Sequence, residues 1–348
     1  MSIQGQRILV TGGTGFIGGR LVEQLMLNHQ VKVRAVVRDF RRAIRMRRFD
    51  VELVGASLTD QAVLNNAMKD CDTVFHCAFG SSGNAQQQRE TTVDGTRSLL
   101  EAAQSAGVKR FINLSTLSVY GDLTTATLNE ESPRHKSGDL YADTKLAAEQ
   151  LVLAAHQASG MQTTVLQPTV VYGPFGGWWT AGQISRVKNG RFVLPEDGSG
   201  ICNPVYVDDV VQAMLCAADS ADAGGASFLI SGPEHKTWRE YYAHFERMVG
   251  RPSIVSLSAD EIRRRLKAAR PPRGLIGYAL QVLRERPDIR QRIVQSPLGL
   301  PYRLAVKLTP KSLIRGAKRR VLGNDFDAGS KPMPAPVFYE SHHLPSYI

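Results

Sequence analysis

A tyrosine and a lysine four residues apart, in Tyr141-Ala142-Asp143-Thr144-Lys145, would lie on one face of a helix. A phenol beside an ammonium can move a proton if its anion is stabilised. A free tyrosine of pKa near 10 needs about 4 kcal/mol of such stabilisation to work near pH 7, at roughly 1.4 kcal/mol per unit. An ammonium about 5 Å away contributes on the order of 3 kcal/mol at an effective dielectric near 20. Alone, the pair is more often a surface contact. Upstream, however, Asn113-Leu114-Ser115-Thr116-Leu117-Ser118-Val119-Tyr120-Gly121 reads as an apolar strand whose end carries three hydroxyls.

The second chemical signal is anion binding. Thr11-Gly12-Gly13-Thr14-Gly15-Phe16-Ile17-Gly18 follows the apolar run Ile8-Leu9-Val10 and leads into an amphipathic stretch with Phe16, Leu21, Val22, Leu25 and Met26. Glycine lets a backbone take positive φ and approach a pyrophosphate, and a helix N-terminus offers unpaired N–H groups to the anion. Gly13, Gly15 and Gly18 satisfy one glycine spacing, and Gly12, Gly15 and Gly18 another. Placed between strand and helix, the turn predicts a dinucleotide ligand, NAD(H) or NADP(H). The second strand ends Val36-Val37-Arg38-Asp39. An arginine at that end matches a 2′-phosphate, so Arg38 favours NADP(H); a strand ending one residue later would let Asp39 reach the ribose hydroxyl of NAD(H).

Elements that position these residues alternate along the first half. Strand-like runs at Ile8–Val10, Val31–Val37, Val51–Val54, Thr73–Cys77, Phe111–Leu114 and Thr164–Leu166 are separated by helical stretches near Phe16 and Ala62, at Thr91–Ala106 and at Tyr141–Ala158. The pattern predicts an α/β fold with a Rossmann-type, doubly wound parallel sheet, binding ligands beyond the carboxyl ends of its strands. Residues 1–175, with a return near 205–231, form the expected dinucleotide-binding domain. Residues 176–204 and 232–348 form a smaller, mostly helical C-terminal substrate lobe, interrupted by prolines such as Pro252, Pro271 and Pro287.

Together these segments resemble the extended short-chain dehydrogenase/reductase family, which includes sugar-nucleotide epimerases, dehydratases and ketone reductases. The matching marks are the Thr11–Gly18 turn, Ser115-Thr116-x-x-Val119-Tyr120-Gly121, Tyr141-x-x-x-Lys145, Pro168-x-x-Val171-Tyr172-Gly173-Pro174 and Val207-Asp208-Asp209, over roughly residues 6–232. The resemblance implies that Tyr141 is the general acid/base, that Lys145 lowers its pKa and holds the nicotinamide ribose, and that Thr116 positions the substrate oxygen, with Ser115 as substitute. A positive nicotinamide ring would then add to the stabilisation of the phenolate. It also places Gly12, Gly15, Phe16, Ile17, Gly18, Arg38, Ser57, Leu58, Ala78, Pro168 and Val171 along the cofactor, joined by Tyr141 and Lys145. Cys77-Ala78-Phe79 would pass near it, with no chemistry assigned.

Departures narrow the activity. Ser57-Leu58 stands where the family often has Asp-Leu, and Thr92 where it commonly has Asn. Leu117-Ser118 replaces the Asp-Glu of dehydratases, which disfavours 4,6-dehydration. Cys202 stands where sugar-nucleotide epimerases usually carry a diphosphate-gripping arginine, a role left to Arg186, Lys188 or Arg191. The expected function is an NADP(H)-dependent oxidoreductase interconverting a ketone and a secondary alcohol. A sugar-nucleotide epimerase with tightly bound NAD is the alternative, and a non-catalytic cofactor-binding protein a second. A homodimer is the assembly common in the resembling family.

Composition sets outer bounds. Of 348 residues, 43% are hydrophobic, and no apolar run reaches the ~18 residues of a membrane span. With no signal pattern at the N-terminus, the expected location is cytoplasmic. Cys71, Cys77, Cys202 and Cys216 form no CxxC pair or ligand cluster, so they are expected as reduced core thiols, with no metal. Net charge is +11, and the excess lies between Arg251 and Arg320, with 18 Lys and Arg against 4 Asp and Glu. Basic residues mixed with short apolar runs there suit either solvated helix faces or reversible docking of Ser258–Leu322 on the inner membrane face. Few aromatics are interleaved, so nucleic acid is not expected.

Overall fold

The computed structural model describes residues 3–121, 128–190 and 192–269, with side chains to 266. Its backbone runs β1 (Arg7–Thr11), α1 (Phe16–Asn28), β2 (Lys32–Val37), β3 (Glu52–Gly55), α2 (Gln61–Ala67), β4 (Thr73–His76), α3 (Ala85–Arg89), α4 (Gly95–Ser105), β5 (Arg110–Leu114), α5 (Leu140–Ser159) and β6 (Gln162–Pro168). It continues as β7 (Val170–Tyr172), α6 (Gly182–Lys188), β8 (Phe192–Pro195), β9 (Pro204–Tyr206), α7 (Val207–Asp219), β10 (Ser227–Ile230) and α8 (Trp238–Val249).

Seven strands form one sheet in the order β10-β6-β5-β4-β1-β2-β3, every pair parallel. The core follows the period of two that a strand imposes. Along β1, Ile8 and Val10 face a cluster with Leu21, Val22 and Leu25 of α1 and Val210, Val211 and Met214 of α7. Leu9 faces the other way, onto Leu64 of α2, Leu99 of α4 and Val152 of α5. A sheet covered on both faces by helices is the Rossmann-type architecture expected, and it explains why its strands are continuously apolar. Each fully buried aliphatic side chain of this kind contributes roughly 1.5–3 kcal/mol.

Strand order reverses between β1 and β4, so the crevice for a ligand opens beyond the carboxyl ends of those two strands. A separate cluster joins Val187, Phe192, Leu194 and Cys202 to Trp238, Tyr241, Tyr242 and Phe245. The expected helix at Thr91–Ala106 begins earlier than its apolar pattern indicated. A wide turn over Glu90–Asp94 joins α3 to α4.

The chain divides after Ser256 into two compact units. In the second, α9 (Ala259–Ala269), which follows β11 (Ile254–Leu257), carries ion pairs from Arg263 to Asp260 and from Arg264 and Arg265 to Glu261. Most of the basic segment considered for membrane docking lies outside the described residues. Among the described residues, no helix is long and apolar enough to cross a membrane.

Candidate active site

The glycine turn is built by contact as much as by flexibility. Gly12 has φ +72, and a Cβ there would lie 2.7 Å from Ala78 N and from Cys77 C, where β1 and β4 part. A Cβ on Gly18 would lie 2.5 Å from Gly12 O, so α1 could not start against the turn. A Cβ on Gly13 would press only on the flexible end of Met46, at 3.0 Å, and reach Val22 at an ordinary contact distance of 3.5 Å. Of the two glycine spacings, it is therefore Gly12, Gly15 and Gly18 that the packing requires.

Gly15 is exposed at the N-cap of the 13-residue α1, no side chain caps it, and the first turn holds no acidic residue. The N–H groups of Phe16, Ile17 and Gly18 are left for an anion, and the positive end of the helix dipole favours one. These features fit a dinucleotide pyrophosphate. The loop after β7 comes over the same place, because a Cβ on Gly176 would meet the Phe16 ring at 3.1 Å. Phe175, in that loop, lies under the Arg45 guanidinium at 3.9 Å.

At the other end of the crevice β2 stops at Val37, and Arg38 is the first residue beyond it, exposed. Asp39 is engaged: its carboxylate accepts from Arg41 N at 3.0 Å and pairs with the Arg41 guanidinium at 3.0 Å. Arg45 and Arg48 are taken by the buried Glu23, at 2.9 and 2.6 Å. Leu58 is buried and Ser57 exposed after β3, where the adenine side was expected. Ala78 is half-buried beside Gly12; Pro168 ends β6 and Val171 lies in β7, both buried.

The reacting groups meet at the ends of β4 and β5. Asp139 caps α5 by accepting from Ala142 N at 2.8 Å, which fixes where the helix begins and so where Tyr141 projects. Tyr141 is 38% exposed and its phenol is influenced by the buried Thr116 hydroxyl, which itself donates to Ser118 Oγ at 3.3 Å and accepts from Ser118 N at 3.3 Å. Ser115, the substitute, is turned away: its hydroxyl donates to Glu149 Oε2 at 2.6 Å in the interior.

Lys145 is buried and donates to the Leu114 carbonyl at 2.7 Å; burial holds its pKa down to about 8. Burial also raises the Tyr141 phenol above its ordinary value, and the Thr116 hydroxyl only partly offsets this. The expected lowering by Lys145 is not delivered by the protein's own charges, since the ammonium is directed at Leu114. The resting phenol holds its proton.

Phe79 lines this site, and the sequence reading gave it no role. Its ring meets Tyr141 edge-on at 5.5 Å, lies 5.4 Å from Lys145 Nζ and is 38% exposed. The backbone on either side is pinned: Ala78 N donates to Thr11 Oγ1 at 3.3 Å, and Gly80 N to Thr92 Oγ1 at 2.9 Å. Thr92 thus takes up the turn after β4 with a hydroxyl. His76, buried between Thr11 and Thr96 at 2.7 and 2.8 Å, stays neutral, pushed down to about 3 by burial and then by Lys145. Because the Thr96 hydroxyl donates to Thr92 O, it accepts from His76 Nε2, and Nδ1 accepts from Thr11.

Cys202 is buried in the aromatic cluster. Arg186 lies 5.0 Å over the Trp178 ring, Lys188 ends α6, and Arg191 is outside the described residues. Three cysteines are buried as expected, whereas Cys216 is exposed on α7.

Residues 8–231 match the model of the NAD dependent epimerase/dehydratase family. The chain is similar to 3beta-hydroxysteroid-dehydrogenase/decarboxylase isoform 1 of Arabidopsis thaliana, at 31% identity over 278 residues. That alignment covers 71% of this chain but 62% of the plant protein, so the chain spans less than two thirds of that relative. A second relative is the 4-hydroxy-2-methyl-3-oxo-4-farnesyl-3,4-dihydroquinoline-1-oxide ketoreductase of Stigmatella aurantiaca, 30% identical over 231 residues, covering 65% of this chain and 68% of that one. Among solved structures, the UDP-glucose 4-epimerase of Thermotoga maritima with UDP-glucose is similar at a TM-score of 0.63 and 26% identity, covering 72% of this chain and 85% of that one.

Proposed function

The chain belongs to the NAD dependent epimerase/dehydratase family, and from that premise we propose that it is an NADP(H)-dependent oxidoreductase that interconverts an apolar ketone and its secondary alcohol. The observation that carries this reading is the Tyr141–Thr116 hydroxyl pair, opening beside the Phe79 ring. The relatives named above support it, one a hydroxysteroid dehydrogenase and the other a ketoreductase of a farnesyl quinoline. The exposed Phe79 ring beside the two hydroxyls offers an apolar surface for the substrate, and the cysteine buried at position 202 offers no charge for a diphosphate.

The bound nicotinamide supplies or accepts the hydride at the carbon bearing the oxygen. Thr116 and Tyr141 orient that oxygen. In the reductive direction Tyr141 gives its proton to the oxygen as negative charge builds there, and the raised pKa suits a resting acid. Lys145 holds a positive charge one helical turn away, where the phenolate forms. Its other expected task is the nicotinamide ribose, and Phe16, Ile17 and Gly18 N–H groups would hold the pyrophosphate.

Two assays test the reading. The nucleotide that copurifies should be NADP(H) that exchanges on dialysis, NADPH should be oxidised with 3-ketosteroids or long-chain aryl ketones, and UDP-glucose should not be epimerised at C4. Tightly held NAD together with C4 epimerisation of UDP-glucose would overturn it.

Cofactor affinity should also depend on pH. Lys145 is charged below about pH 8 and neutral above it, so NADPH binding to the protein should weaken as pH rises through that value. A charge-assisted hydrogen bond of about 1.5 kcal/mol predicts a loss of roughly tenfold by pH 10. Fluorescence titration of NADPH between pH 6 and 10 measures this. Lys145→Met should bind about tenfold more weakly at pH 7 with a flatter profile, by the same reasoning. A flat wild-type profile would refute the contact.

A further inference from the structure

Glu149, two turns beyond Tyr141 on α5, is completely buried, and three separate parts of the site converge on it. Ser115 donates to Oε2 at 2.6 Å, Gln167 Nε2 donates to Oε1 at 2.9 Å, and Arg134 pairs with Oε1 at 2.9 Å. Ser115 immediately precedes Thr116. Arg134 lies in the segment that leads into α5 and Tyr141, and Gln167 precedes Pro168 at the end of β6. The network closes on itself: Tyr120 donates to Gln167 Oε1 at 2.8 Å, and the Arg134 guanidinium lies 5.5 Å over the Tyr120 ring.

Lys145 and Glu149 also act on neighbouring residues. Lys145 donates to the carbonyl of Leu114 at 2.7 Å, and Glu149 accepts from the side chain of Ser115. Two successive turns of α5 therefore clip the end of β5, one by a cation and one by an anion, immediately before Thr116. Such a network is costly to satisfy halfway, because a buried charge without its partners is strongly unfavourable. A serine and a glutamine donate to the carboxylate, and Arg134 adds its charge as an ion pair whose Nε makes no hydrogen bond.

We propose that Glu149 is a positioning residue for the reaction, acting through Ser115 on Thr116 and through Arg134 on the segment entering Tyr141 to keep the two hydroxyls in register. It also faces Lys145 electrostatically. Among the described residues, the titratable groups that act on that ammonium or feel it are His76 at the end of β4, Cys77 just beyond it and Glu149 from α5. Glu149, which pairs with Arg134, raises the Lys145 pKa against burial. Removing its charge should move Lys145 further down.

The turnover part of this inference rests on the reductase reading, whereas the cofactor titration does not. Glu149→Gln keeps the size and one acceptor but removes the charge. The expected result is a kcat at least about tenfold lower with ketone KM within about twofold, and an NADPH-affinity midpoint at least about half a pH unit below that of wild type. Glu149→Asp should restore the midpoint. Ser115→Ala removes one arm without changing charge, and should lower kcat about fivefold with melting temperature and midpoint as in wild type.

An unchanged kcat and midpoint in Glu149→Gln would overturn the proposal. So would a loss that follows the melting temperature alone, with kcat and NADPH affinity falling together in all three variants. If Glu149→Gln does not fold, Ser115→Ala decides: unchanged kcat refutes the positioning route, and a selective fall in kcat supports it. If the wild-type protein reduces no ketone, the reductase reading fails, and the titration of Glu149→Gln alone decides the role of Glu149.

Discussion

Tyr141→Phe should reduce turnover about 10³-fold, within the range of a lost general acid, while changing NADP(H) affinity by less than about threefold. The substitution removes the hydroxyl beside Thr116 and keeps the ring. The edge-on contact with Phe79 at 5.5 Å therefore survives, as does the start of α5, which Asp139 sets and the phenol does not. The pyrophosphate end of the crevice, at Gly12–Gly18, belongs to other elements and should bind as before. Stability should fall by no more than about 1 kcal/mol, the worth of one hydrogen bond at a half-exposed site. Steady-state kinetics of NADPH oxidation and a binding titration on the same preparation check both halves. Turnover comparable to wild type would remove Tyr141 from the chemistry and leave Thr116 without a partner for the substrate oxygen.

The direction of the phenol's pKa shift matters for this prediction. A tyrosine held above its ordinary value is a reservoir of protons at neutral pH, which suits reduction; oxidation of the alcohol would need the phenolate and so should run better as pH rises. Sequence spacing alone pairs Tyr141 with Lys145 and invites the opposite expectation. What it misses is the carbonyl of Leu114, which occupies the Lys145 ammonium and belongs to another element.

That contrast marks the line between what was legible in the chain and what was not. The Gly12–Gly18 turn and the Tyr141/Lys145 pair are local patterns, and the strands are short, nearly continuous apolar runs of the kind a sheet buried on both faces requires. They could be read because each meaning lies within one short segment. Choosing between Gly12 and Gly13 needed the approach of Ala78 from β4. Glu149 could not be read at all, because its partners at 115, 134 and 167 share no spacing with it. Phe79 was visible only as the end of a strand; its exposure beside Tyr141 is a property of packing. Thr92, a departure in sequence, proves to accept the Gly80 amide and so keeps the turn after β4 in place.

Arg38→Asp should reverse the nucleotide preference, shifting the ratio of the NADP(H) and NAD(H) dissociation constants by about 100-fold or more. Arg38 stands first beyond β2, exposed, where a 2′-phosphate on the adenosine ribose would arrive. Losing a charge-assisted hydrogen bond there removes roughly 1.5–3 kcal/mol, which is tenfold to about 100-fold in affinity for NADP(H). The new carboxylate repels the phosphate and can accept from a ribose hydroxyl, so NAD(H) gains as NADP(H) loses. Because the site faces water, the effect should shrink as salt is raised from 50 mM to 500 mM, whereas a preference set by packing would not. Asp39 supplies the control. Its carboxylate is committed to Arg41 through two guanidinium contacts and one backbone N–H, so Asp39→Asn should leave the ratio within about threefold of wild type. If Arg38→Asp leaves the ratio in place while Asp39→Asn moves it, the ribose is read by Asp39, and the protein is an NAD(H) enzyme whose Arg41 pair opens on binding.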